Sequence, residues 1–212
     1  VNALHSFCHA DGGWHLMGCI LSAASCNSWW VNGILQTDDY KTEEAGLEEK
    51  MGKNDVFFLP YLMGERSPHN DVTARGAFIG MRPDTTRGEM TLAMLEGVAF
   101  ALRDCLEAAK KNGVQIPRTK LCGGGARSPL WRKIIANVMD MPVELPQTEQ
   151  GPSYGAAMLA MVGCGEYKTV AEAASAIVRV KETVLPDPET SAAYEQKYRH
   201  FTKLYPALKG LF

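Results

Sequence analysis

Read as apolar and polar positions, the chain alternates short apolar runs with longer stretches whose apolar residues recur at helical spacing. Residues 16–35, LMGCILSAASCNSWWVNGIL, are apolar or small on nearly every side, which predicts a buried helix. The acidic residues 38–53 predict a surface helix and turn. DVFFLPYL predicts a strand as far as Pro60, whose missing N–H and fixed φ stop regular pairing. Residues 63–76, MGERSPHNDVTARG, predict a long polar loop, and such loops in compact domains are either functional or disordered. GAFIGM predicts a short strand. In residues 88–112, Met90, Met94, Val98, Ala101 and Leu102 recur at helical spacing, and Gly113 suits the left-handed residue that ends many helices. TKLC and PVEL predict strands on either side of a helix that ends at Met139. Helices from Pro152 and over VAEAASAI follow, then a strand over VRVKETVLP. Tyr194, Tyr198, Phe201, Tyr205 and Leu208 make one apolar stripe on a last helix that Pro206 should kink or stop. Strands alternating with helices predict an α/β layered domain with a largely parallel sheet.

Composition narrows the function classes. The 212 residues are 46% hydrophobic and 22% charged, enough for one domain of 1–212 with a real core. Net charge is −2 with Lys and Arg dispersed, so no broad basic field calls for nucleic acid or an anionic membrane. No apolar stretch reaches the roughly 20 residues of a membrane-spanning helix. VNALHSFCHADGG lacks the basic and apolar regions of a secretory signal. Opening on Val1 and passing straight into patterned sequence, the chain reads as a piece of something longer. None of the six cysteines form a C-x-x-C pair and most lie in apolar runs, which predicts buried thiols and a reducing cytoplasm. His5, Cys8 and His9 are the one cluster that could hold a metal. As a strand, LHSFCHA sends Cys8 to the face opposite the two histidines, so no metal site is expected.

The candidate chemistry centres on LCGGGARSPLWRKII. Gly123, Gly124 and Gly125 fall between a strand and a helix, with Ser128 suited to the N-cap and Pro129 to the first helical position. Glycines let a flat ring or a phosphate lie directly on main chain, because no Cβ intervenes. The same turn could serve only to pack the helix close to the sheet. Gly123-x-Gly125-x-x-Ser128 is a near miss to a dinucleotide fingerprint, with Glu144 near the distance of a ribose-binding acid. That reading is rejected, since Ser128 replaces the third glycine and over half the chain precedes a unit that usually comes first.

Other segments carry a more specific signal. Gly76-x-Phe78-x-Gly80-Met81, then seven residues, then Glu89-Met90-x-x-Ala93-Met94-Leu95-Glu96 resembles the C-terminal signature of the FGGY carbohydrate kinases. The triple glycine with Ala126, and GPSYGAAMLA after it, resemble that family's adenosine motif and following helix. The resemblance covers essentially the whole chain. LHSFCHA, WHLMGCILSAASC and FLPYLMGERSPHND look most like the family's xylulokinase branch, with gluconokinase-like members the nearest rivals. His69-Asn70 favours the former.

The resemblance implies an actin-like (ribonuclease H-like) ATPase fold, this chain being the second of two domains with the active site in the cleft between them. It implies ATP with Mg²⁺ and a sugar as partners, together with a missing N-terminal domain that carries the catalytic Asp and the main sugar contacts. No catalytic base and no metal ligand is assigned here, since Asp11 before Gly12-Gly13 does not match the family's motif. Gly124, Gly125 and Ala126 would line the adenosine pocket through backbone, Ser128 would cap the helix or bond the nucleotide, and Gly80 would approach the phosphates. Many relatives place an Asn where Arg127-Ser128-Pro129 stand, which leaves side-chain recognition of adenine open. Arg66, His69, Asn70 and Asp71 are weak sugar or phosphate candidates, a solvated loop being the alternative. Glu96, inside an apolar helix, reads as a partnered structural carboxylate. The aromatic C-terminal stripe could be core or a homodimer interface. A non-catalytic association module is the remaining alternative.

Overall fold

The computed structural model describes residues 3–212, so Val1 and the expectation attached to it lie outside the described residues. One long helix, α3 (Arg87–Lys111), organises the rest. It starts where Thr86 and Glu89 cap each other: the Glu89 N–H donates to the Thr86 hydroxyl, and the Thr86 N–H donates to the Glu89 carboxylate at 2.8 Å. It ends at Gly113, whose φ of +81° reverses the chain. Leu92, Met94, Leu95, Val98 and Phe100 on α3 are all buried. They pack against strand β3 (Phe57–Leu59) and helices α4 (Pro129–Met139) and α7 (Pro188–Leu208).

The strands form three small sheets. β1 (His5–Cys8) and β2 (Trp14–Met17) make an antiparallel hairpin, His5 opposite Met17. β3 pairs antiparallel with β4 (Ala77–Ile79), and the Phe58 and Phe78 rings lie 4.6 Å apart. β5 (Thr119–Lys120) runs parallel to β6 (Val143–Pro146), which pairs antiparallel with β7 (Val180–Val184). The domain is α/β, but the expected largely parallel sheet is corrected to a single parallel strand pair among the described residues. The tight turn between β1 and β2 is too short for a crossover and forces an antiparallel pair, whereas β7 returns antiparallel to β6 even though α5 (Gly151–Gly163) and α6 (Val170–Ile177) lie between them.

Residues 16–35 need a second correction. Leu16 and Met17 belong to β2, and helix begins only at α1 (Ala24–Ser28), continuing as a π-helical turn over Trp29–Ile34. An apolar run of this kind does not distinguish a buried helix from a strand followed by one. Residues 38–53 hold the short helix α2 (Tyr40–Glu44) and a 3₁₀ turn, Leu47–Lys50. Pro206 does not stop the last helix, which continues through it to Leu208. The aromatic stripe is core: Tyr194, Tyr198, Phe201 and Tyr205 are buried against Phe100 and Tyr61. The cysteines are less buried than expected, Cys8, Cys122 and Cys164 being exposed at a hairpin end, a turn and a helix end. Helices α5 (Gly151–Gly163) and α6 (Val170–Ile177) pack on each other, joined by the Tyr154 hydroxyl donating to the Ile177 carbonyl. No helix among the described residues is long and apolar enough to cross a membrane.

Candidate functional site

β5 and β6, the parallel pair, both end at one crevice, and each is followed by a loop and a helix whose N-terminus starts there: α4 after β5, α5 after β6. Crevices beyond the carboxyl ends of parallel strands are where open α/β sheets bind ligands. The lining includes Leu121, Cys122, Gly123, Ala126, Gln147 and Thr148. Arg127 reaches across to Glu149 at 3.1 Å, and Arg132 to Glu182 at 3.2 Å while also donating to the Ala126 carbonyl.

The three glycines answer three different requirements. Gly123 has φ +86°, which a side chain rarely tolerates. At Gly125 an added Cβ would stand 2.9 Å from the Trp131 ring, so this glycine lets the first turn of α4 fold back against the loop. At Gly124 nothing lies within 4 Å of an added Cβ. Its bare face meets open space, beside Gly123 and Ala126 that line the crevice, which fits a flat ring laid on main chain. Ser128 is the N-cap of α4: its hydroxyl accepts from the Trp131 N–H at 3.0 Å and donates to Glu44 at 2.5 Å. Both capacities of the hydroxyl are engaged within the protein. Of the two roles open to Ser128, the structure displays the cap.

Gly80 sits elsewhere. Its φ is +89° and an added Cβ would lie 2.7 Å from the Asp55 carbonyl oxygen, so the turn itself demands glycine. It lines a separate hollow with Asn54, Phe57 and His200, which shares no residue with the crevice at the triple glycine. Glu144, the ribose-acid analogue, pairs with Lys120 at 3.0 Å and Arg118 at 3.3 Å along β6. A dinucleotide role therefore finds no free carboxylate there.

The 63–76 loop brings its four candidates together but turns two of them inward. His69 stacks on Tyr205 with ring centroids 3.9 Å apart and shares a 3.2 Å hydrogen bond with the Tyr61 hydroxyl; burial brings its imidazole down to about 4. Asp71 accepts from the Thr73 hydroxyl and N–H and from the Tyr205 hydroxyl at 2.6 Å, and these bonds hold it below the usual carboxylate range. Arg66 and Asn70 stay exposed, although Arg66 donates to His5 at 3.0 Å. His9 faces Asp11 and His15, and among the described residues no group of three His, Cys, Asp or Glu could hold a metal.

Glu65, which the sequence reading passed over, anchors this loop from inside. It is 2% exposed, and one carboxylate oxygen accepts from the Arg66 and Ser67 N–H groups at 2.8 and 2.9 Å. Burial nevertheless pushes its carboxyl up to about 7, opposed by those two bonds and assisted by nearby Asp104. The folded state therefore binds a proton more tightly than the unfolded chain, whose carboxyl titrates near 4.5. Stability contributed by Glu65 is greatest below that value and declines as pH rises toward 7. Glu65→Gln keeps an acceptor and removes the charge. Its urea stability relative to the native chain is expected to improve by about 2–3 kcal/mol between pH 5 and pH 8. A difference that stays flat over that range would contradict the buried-charge account.

The chain belongs to the FGGY family of carbohydrate kinases, whose C-terminal domain matches residues 2–164. Its α/β fold is that of this family's actin-like ATPase domain. Within the family, the xylulose kinase of Escherichia coli strain K12 is 35% identical over 212 residues, covering 99% of this chain and 44% of that protein. A xylulose kinase of Staphylococcus epidermidis is 32% identical over 210 residues, covering 98% and 42%. The crystal structure of a xyloylose kinase from Brucella ovis superposes with a TM-score of 0.90 at 37% identity, covering all of this chain and 43% of that one. The chain thus spans less than half the length of the curated relatives it matches.

Proposed function

We propose that this chain is the ATP-binding C-terminal half of a sugar kinase that moves the γ-phosphate of ATP to a hydroxyl of a ketopentose, D-xylulose being the substrate the relatives support. One observation carries the reading: a bare glycine face, Gly124, open at the carboxyl ends of the parallel pair, in a chain whose relatives bear the name xylulose kinase. ATP supplies the phosphoryl group. The chain's own part is to seat the base and ribose on the Gly124–Ala126 backbone, with Ser128 setting the helix behind it, and to fix their orientation before transfer. Mg²⁺ would arrive with the nucleotide, bound to its phosphates. No step is assigned to Gly80, Arg66, His69, Asn70 or Asp71. The sugar and the proton-accepting carboxylate belong to the upstream half that the relatives' length implies, so the 212-residue chain alone should bind nucleotide without turnover. Its setting would be the cytoplasm, where ATP and free sugars meet.

Calorimetric titration of the chain with Mg-ADP tests the seat. Saturable binding is expected, weakened at least tenfold by Gly124→Val, whose Cβ would enter open space on that face. Gly125→Val is the poorer probe, because Trp131 already occupies that space. An absence of wild-type binding at millimolar nucleotide, or equal binding by Gly124→Val, would count against the seat.

A further inference from the structure

The acidic stretch that reads as mere surface in the sequence does more in the fold. Two adjacent acids on α2 reach two different helix starts. Glu43 pairs with Arg87, the first residue of α3. Glu44 accepts the Ser128 hydroxyl proton at 2.5 Å, at the first turn of α4. Glu48, just beyond, pairs with Lys133 on α4 at 2.5 Å. Glu44 is the member that touches the glycine loop. Its other carboxylate oxygen is buried without a hydrogen-bond partner, and buried Asn27 lies against the same carboxyl.

The consequence follows from what a hydroxyl can do. Ser128 has one proton to give, and giving it to Glu44 turns a lone pair toward the Trp131 N–H. That fixes the direction in which α4 leaves the loop. Trp131 in turn donates its indole N–H to the Leu95 carbonyl at 3.0 Å and covers Gly125 with its ring. The Ser128 N–H donates back to the Gly125 carbonyl. A carboxylate at this end of α4 also complements the positive end of the helix dipole.

We propose that Glu44 is a positioning residue for the nucleotide seat: acting through Ser128, it holds the first turn of α4 and therefore the Gly124–Ala126 backbone in the shape that receives adenosine. The proposal rests on the nucleotide-binding reading above. Nothing in the local sequence announces the link, since Glu44 and Ser128 are 84 residues apart.

The test uses Glu44→Ala, Glu44→Gln, Ser128→Ala and the Glu44→Ala/Ser128→Ala pair in the 212-residue chain. Two readouts are taken: hydrogen exchange at the Trp131 amide and Mg-ADP affinity by calorimetry. Glu44→Ala should speed Trp131 exchange and weaken ADP binding, each about tenfold. Glu44→Gln, whose amide oxygen still accepts from Ser128, should restore both to within about threefold of the native chain. The double variant should be no worse than Ser128→Ala alone, because the carboxylate acts through that hydroxyl. The proposal is overturned if Glu44→Ala leaves either readout unchanged, if Glu44→Gln fails to rescue, or if the two substitutions add. Absence of ADP binding by the native chain would remove the nucleotide reading and the proposal together. Native binding that Glu44→Ala leaves intact would remove the proposal alone.

Discussion

Replacing Lys197 with Met should destabilise the chain by about 3–5 kcal/mol, a large part of what holds a domain of this size together. Lys197 lies on α7, 7% exposed, and its ammonium donates to Glu96 on α3 at 2.7 Å and to the Asn54 carbonyl. Glu96 is 1% exposed, and its second oxygen accepts from the Tyr194 hydroxyl at 3.0 Å. Removing the cation leaves a carboxylate in the core with only neutral donors, the Tyr194 hydroxyl and the Gly52 N–H, and an unpaired buried charge is far costlier than the pair was favourable. Adding Glu96→Gln to Lys197→Met removes the stranded charge while keeping an acceptor for Tyr194. The double variant should therefore recover at least half of the loss in urea denaturation at neutral pH. A single variant within about 1 kcal/mol of the native chain would show that water reaches Glu96 and that the pair is not buried in solution.

Gly97→Ala should also destabilise, by about 3 kcal/mol, although alanine is the better helix former by about 1 kcal/mol. Gly97 lies in the middle of α3 where the helix crosses β3, and an added Cβ would overlap the Phe58 carbonyl oxygen and sit 3.3 Å from the Phe58 Cβ. The obstacle is main chain of a strand paired with β4, which cannot swing aside as a side-chain tip would. Gly155 on α5 supplies the contrast, since nothing stands within 4 Å of its added Cβ. Gly155→Ala is expected to stabilise by about 0.5–1 kcal/mol through backbone entropy alone. The two substitutions are chemically the same. Should both shift the melting temperature in the same direction, the close crossing of α3 over β3 would be wrong.

Much of the fold was legible because its signals are local. The period of α3, its Glu89 three residues after Thr86 and Gly113 after its end all act within a few turns of one helix. The same holds for Ser128-Pro129 at the start of α4. Glu96 could be read as partnered because a carboxylate on an apolar face has no other stable option. The run from Leu16 misled, because which face a short apolar segment buries depends on what it pairs with. Here Met17 sits opposite His5, and Gly18 lies against Cys105, where an added Cβ would stand 2.4 Å from the Cys105 Cβ, too close to fit. The direction of strand pairing was hidden for the same reason.

At the candidate site the division is sharper. Sequence by itself determined that a bare backbone turn precedes a capped helix, and that this turn belongs to a sugar-kinase pattern, since motif spacing and capping are properties of neighbouring residues. Only the tertiary structure decided which glycine faces open space and which is pressed against Trp131, that the Ser128 hydroxyl is engaged by Glu44, and that His69 and Asp71 turn toward Tyr61 and Tyr205. Those outcomes are contacts between residues distant along the chain. They depend on where whole elements come to rest, and no local spacing carries that information.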